Sequence, residues 1–165
     1  MSALSQLKRQ VVAHLQTDPG FSLATLCAEY PGLRETLKKP TIAVRVGKME
    51  IKQQAFGGVV GMDEQGEPVQ GALAEVALQF DMYLPRTMDA TKLFEWYETL
   101  CEMLVLSGTV PAAFYSMTCG DVDYDARLAA VHLRASAQTQ ILVSIRGEFL
   151  PVREIQVQRS GMIDQ

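Results

Sequence analysis

The stretch LAEVALQFDMYLPRTMDATKLFEWYETLCEMLVL, residues 73–106, changes its hydrophobic period at the centre. Before Pro85 the period is two: Val76, Leu78, Phe80, Met82 and Leu84 share one parity, while Glu75, Gln79, Asp81 and Tyr83 take the other. That alternation is the signature of a strand with two unlike faces. After Asp89 the period becomes helical, with Leu93, Tyr97, Leu100, Cys101 and Leu104 forming a stripe that Phe94 and Trp96 widen. Asp89 is placed to cap this helix, over about residues 90–106, and Ser107-Gly108 followed by Pro111 stops it. A strand face and a helix stripe this close in sequence each need a partner. The expected core is therefore Val76, Leu78, Phe80, Met82, Leu93, Tyr97, Leu100, Leu104, Val143 and Ile145.

On the N-terminal side, Leu4, Leu7, Val11, Val12 and Leu15 predict an amphipathic helix ended by Asp18-Pro19-Gly20. Ser22 to Tyr30 reads as a second short helix, making residues 1–40 a helical region. From Thr41 the period is two again, but Ile42, Val44 and Val46 are even-numbered while Met49 and Ile51 are odd. A one-residue slip beside Gly47 predicts a β-bulge or tight turn there. Residues Gly57 to Gly71, with Gly61, Gly66 and Pro68, read as a long mobile loop. On the C-terminal side, residues 114–119 read as a strand and Gly120 to Asp125 as an acidic turn. Residues 128–149 form a return segment, bent near Ala135-Ser136-Ala137-Gln138.

Helical and strand patterns do not alternate strictly. The predicted class is α+β, with a mostly antiparallel or mixed sheet of four to five strands and both helices on one face. Residues 1–151 make one domain, and residues 152–165 a polar, flexible tail.

Composition excludes some functions. The formal net charge of −4 gives no general attraction to phosphate backbones, so no nucleic-acid specificity is expected. The N-terminal residues lack the apolar run of a signal peptide, and no uninterrupted apolar stretch is long enough for a membrane helix. Cys27, Cys101 and Cys119 are odd in number and lack CxxC spacing, which predicts buried, reduced thiols in a cytosolic protein.

No catalytic, cofactor-binding or metal-ligating residue is assigned. Asp121, Asp123 and Asp125 alternate, but an EF-hand loop counted from Asp121 would place Ala126 and His132 where glycine and glutamate are required. No serine lies in a GxSxG elbow, and His14 and His132 sit in periodic segments as structural residues. Cys119 is flanked by the anionic Asp121, which disfavours a thiolate. The glycines of residues 57–71 match neither phosphate-binding pattern, and Asp63, Glu64 and Glu67 oppose an anion there. Trp96 and Tyr97 read as core or interface residues, and Arg34, Lys38 and Lys39 as a solvated basic cluster.

The succession KKPTIAVRVGKMEI, EVALQFDMYLPRTMDATKLFEWYETLCEML and FYSMTCGDVDYDARLAAVHLRASAQTQILVSIRGEF resembles the tail terminator, or tail completion, proteins of long-tailed phages and prophage-like elements. The likeness spans roughly residues 38–150. It implies a non-enzymatic structural protein, without cofactor, that assembles as a ring, commonly a hexamer. Such a ring caps the tail tube and meets neck or head-joining proteins. The implied location is the bacterial host cytoplasm during assembly and the particle afterwards. Two alternatives stay open: a baseplate or tube-initiating component of the same particle, and a small-molecule-binding domain or enzyme whose site the sequence does not expose.

Overall fold

The computed structural model describes residues 3–29, 36–52, 58–107, 112–144 and 149–151. In chain order the elements are α1 (Ala3–Leu15), a 3-10 turn (Pro19–Phe21), β1 (Thr25–Cys27), β2 (Thr41–Lys52), β3 (Val59–Met62) and β4 (Pro68–Pro85). Then follow α2 (Thr91–Cys101), which continues as a π-helical turn over Glu102–Leu106, β5 (Phe114–Asp125), β6 (Ala130–Ser144) and β7 (Phe149–Pro151). The sheet runs β1-β2-β4-β6-β5, with β3 beside β4 and β7 beside β6. Among the described strand pairs only β1–β2 is parallel. The fold is α+β with a mixed sheet.

The 18-residue β4 is the spine. Its even-numbered residues Val76, Leu78, Phe80, Met82 and Leu84 are buried in one cluster with Leu7, Val11 and Leu15 of α1 and Leu93, Trp96, Leu100 and Leu104 from α2 and its π-helical extension. Tyr97 and Val143 pack against that cluster half-buried, and Ile145 lies outside the described residues. The helical stripe is centred one position from the expected one. Trp96 is 1% exposed, with its indole N–H donating to the Gly20 carbonyl at 3.1 Å, whereas Phe94 is 47% exposed. Asp89 accepts a hydrogen bond from the Thr91 amide at 3.0 Å, covering one of the amides left over at the helix start.

The slip at Gly47 is a β-bulge: Val46 pairs with Leu78 and Lys48 with Ala77, leaving Gly47 as the extra residue. The expected bend in the return segment is absent. β6 pairs with β4 without interruption from Ala130 to Ser144, and Ala135 and Ala137 are buried within the core cluster. Their small size lets a helix lie close to the sheet instead of breaking the strand.

Three further expectations give way to strands. The described residues of the expected helix, 22–29, do not form one; Thr25, Leu26 and Cys27 pair in parallel with Thr41, Ile42 and Ala43. A nine-residue helix is marginal by itself, and pairing satisfies the edge of β2. Among the described residues before position 40, α1 is therefore the only α-helix. The described part of the segment 57–71 is a β-hairpin of β3 and the start of β4 rather than a loop. Its turn is local: the Asp63 carboxylate accepts from the amides of Gln65 at 3.0 Å and Glu67 at 2.8 Å. Gly66 follows at φ +80°, a left-handed conformation that glycine takes without penalty. Finally, Gly120 to Asp125 belongs to β5, because the Asp-Val-Asp-Tyr-Asp alternation is itself a period of two. The turn lies at residues 126–129, where the Asp125 carboxylate accepts from the amides of Arg127 and Leu128. The tail, 152–165, lies outside the described residues.

Candidate functional site

The helices cover one face of the sheet, and the odd-numbered residues of β4 point to the other. Register places Arg45 of β2 opposite Gln79, Arg134 of β6 opposite Asp81, and His132 opposite Tyr83. Adjacent and diagonal neighbours on one sheet face are close enough for long side chains to meet. At the centre they meet on Asp81, whose side chain is 0% exposed.

Arg45 Nε lies 2.8 Å from Asp81 Oδ2. Arg134 Nε donates to Oδ1 at 2.8 Å, and His132 Nε2 lies 3.0 Å from the same oxygen. The His132 ring stacks on Tyr83, with centroids 4.5 Å apart and planes 17° from parallel. Burial by itself would raise the Asp81 pKa. The hydrogen bonds from His132 and Arg134, with the positive charge of Arg134 and Arg45, outweigh it and hold the carboxyl below its ordinary value. A carboxylate held ionised in this way is a poor proton carrier near neutrality. It ties three strands together and positions two guanidinium groups on the open face.

Beside this cluster a groove of about 420 Å³ crosses β2, β4, β6 and β5. Its walls include Lys48, Gln79, Thr118, Arg134 and Ser136, over a floor with Ala77. It offers hydroxyls, an amide and two cations, and its described lining residues include no carboxylate. Toward the Lys52 end the charge is self-compensated. Lys52 Nζ lies 3.1 Å from Glu75 and 3.9 Å from Glu50, and its hydrogen bond is the main reason the Glu75 carboxyl stays below the ordinary range.

Two other features stand out. The β3–β4 hairpin exposes Val59 and Met62 (76% exposed) beside an acidic tip. The outer edge strand β5 exposes Tyr115, Val122 and Tyr124. Asp121 and Asp123 on that strand are exposed and Asp125 is half-buried.

The cysteines are less buried than expected. Cys27 and Cys101 are half-buried and Cys119 is exposed, lying on β5, which has no strand on its outer side among the described residues. All three are free thiols. Burial first, then hydrogen bonding to Cys101 and Cys119, pushes the Tyr97 hydroxyl up to about 12.

His14 lies on α1, half-buried, while Lys38 and Lys39 are exposed and Arg34 is outside the described residues. Among the described residues no cluster of three or more His, Cys, Asp or Glu could hold a metal ion, and no helix is long and apolar enough to cross a membrane. The hub that sequence reading missed is Asp81, placed correctly on the polar parity but not as a buried ion. The available signal was an acidic residue on the polar face midway along the longest strand, with an arginine on the polar face of each of two other strands, Arg45 and Arg134. Compared with known proteins, the chain matches no family model and no curated relative.

Proposed function

We propose that the protein is a non-enzymatic assembly subunit of a phage or phage-like particle, capping or completing the tail tube as a homo-oligomeric ring. The observation that carries this reading is the hairpin arm. Among the described residues β3 pairs with β4 alone, and the arm leaves Val59 and Met62 in solvent. A two-stranded hairpin without a covering surface is marginal in water, so a second surface is the natural source of its stability. The outer edge of β5, unpaired among the described residues, adds a second place where another subunit can gain hydrogen bonds. The order of strands and helix quoted above supplies the likeness to tail terminator proteins. The cytoplasm of the host, followed by the particle, is the corresponding location.

A second reading draws on the groove. Its volume and convergent polar groups also suit a small anionic ligand, which would make the chain a small-molecule-binding domain.

The test is light scattering and negative-stain electron microscopy of the purified chain, alone and mixed with phage tail-tube protein. Rings seated on tube ends support the terminator reading. A chain that neither binds nor caps tubes rejects it and favours the small-ligand reading.

A further inference from the structure

We propose that the acidic tip of the β3–β4 hairpin of one subunit docks into the basic, hydroxyl-lined groove on the open sheet face of a second copy of this chain. The inference rests on the ring reading above and names the surfaces through which copies would join.

Charge makes the two surfaces complementary. The tip carries Asp63, Glu64 and Glu67 with no basic residue among residues 59–71, and Glu64 and Glu67 are exposed. The groove presents Lys48 and Arg134 with the hydroxyls of Thr118 and Ser136. Of the neighbouring carboxylates, Asp81 is shared between Arg45, His132 and Arg134, and Glu75, beside Lys48, is paired with Lys52, so the described residues lining the groove are positive in a chain whose net charge is −4. Ammonium, guanidinium and hydroxyl donors around a groove recognise carboxylates by charge-assisted hydrogen bonds.

Geometry makes the contact intermolecular. Ala77 in the groove and Glu67 at the tip are joined by the strand β4 itself, which starts at Pro68 and runs unbroken to Pro85. At about 3.3 Å per residue the tip stands roughly 30 Å along the strand from its own groove. It cannot fold back without breaking β4. The tip and the groove are different surfaces, so the contact is heterologous, the kind that closes into rings when its rotation permits.

The apolar flank of the arm has the same need. Val59 and Met62, exposed in the free subunit, would lie against the receiving copy as the tip enters the groove.

The experiment is sedimentation velocity of the full chain from about 1 µM to 1 mM, with charge-reversed variants. Lys48→Glu alters the groove and Glu64→Lys/Glu67→Lys alters the tip; all three positions are exposed, and circular dichroism checks the fold of each variant. The expected results are self-association by the wild type, association at least tenfold weaker in either variant, and recovery when the two variants are mixed. Salt between 50 and 500 mM should weaken wild-type association, whereas general repulsion between copies of like charge would give the opposite sign.

A wild type that stays monomeric at 1 mM and 50 mM salt overturns the docking. So does self-association that neither reversal weakens, or that mixing fails to restore. Tube capping separates the two proposals. Charge-dependent self-association without capping leaves the docking standing and removes the terminator reading. Capping that survives both reversals removes the docking alone.

Discussion

Asp81→Asn keeps the side-chain shape and removes its charge, so it isolates what the buried carboxylate contributes. Three groups converge on it: Arg45 and Arg134 at 2.8 Å and His132 at 3.0 Å. Breaking a fully buried ion pair costs about 3–5 kcal/mol, because the surviving partner remains charged away from water. Here the side chains of Arg45 and Arg134 are 38% and 51% exposed, so both can recover hydration. Exposed pairs contribute only about 0–1 kcal/mol. The cluster lies between these limits, and the expected loss is about 2–3 kcal/mol. For a chain of this size that is a fall in Tm of roughly 5–10 °C. The assay is urea denaturation at pH 7 and at acid pH, with Arg45→Gln added alone and in combination. Because folding lowers the Asp81 pKa, its stabilisation is complete above the unfolded carboxylate value of about 3.9 and disappears as pH falls through the folded value. The part of the wild-type advantage that comes from this titration is therefore steady above about pH 5 and closes in stronger acid. Arg45→Gln should cost less in the Asn background than in the wild type, since the guanidinium has then lost its counter-charge. A loss below about 0.5 kcal/mol at pH 7, or strict additivity with Arg45→Gln, would refute the reasoning.

Phe80→Ala and Leu100→Ala each empty a fully buried site in the core and should cost about 2–5 kcal/mol, read by urea denaturation. Trp96→Phe keeps most of the packing and deletes the bond to the Gly20 carbonyl; a loss of about 1 kcal/mol is expected from thermal melts, against about 3–5 for Trp96→Ala. Thr139→Val removes a buried hydroxyl that donates to the Ala113 carbonyl at 2.8 Å, leaves that carbonyl short of a donor, and should cost about 1–2 kcal/mol in the same melts. Gly66→Ala meets no atom within 4 Å, so its cost of about 1 kcal/mol comes from the left-handed backbone alone. That cost should appear as faster amide exchange confined to the hairpin, with the global Tm unchanged.

Residues 73–106 show how much of this protein its sequence determines unaided. A change of period from two to 3.6 within one segment sets a strand, a helix and the faces they bury, because side-chain direction follows local backbone geometry alone. From Ala74 to Leu84 the even-numbered residues of β4 are buried, and the slip at Gly47 shows up as a bulge for the same local reason. Where the pattern was short or glycine-rich, as at residues 25–27 and 59–71, local preference was too weak to separate strand from helix or loop. Pairing with a strand distant in sequence or across a turn decided those segments. The site belongs wholly to this second kind. Arg45, Asp81 and the pair His132 and Arg134 come from three strands far apart along the chain, and only the register of those strands brings the three cationic or imidazole groups within 3.0 Å of Asp81. The groove likewise exists only once four strands are assembled, since its positive charge depends on which carboxylates the sheet has already paired and which it has carried out to the hairpin tip.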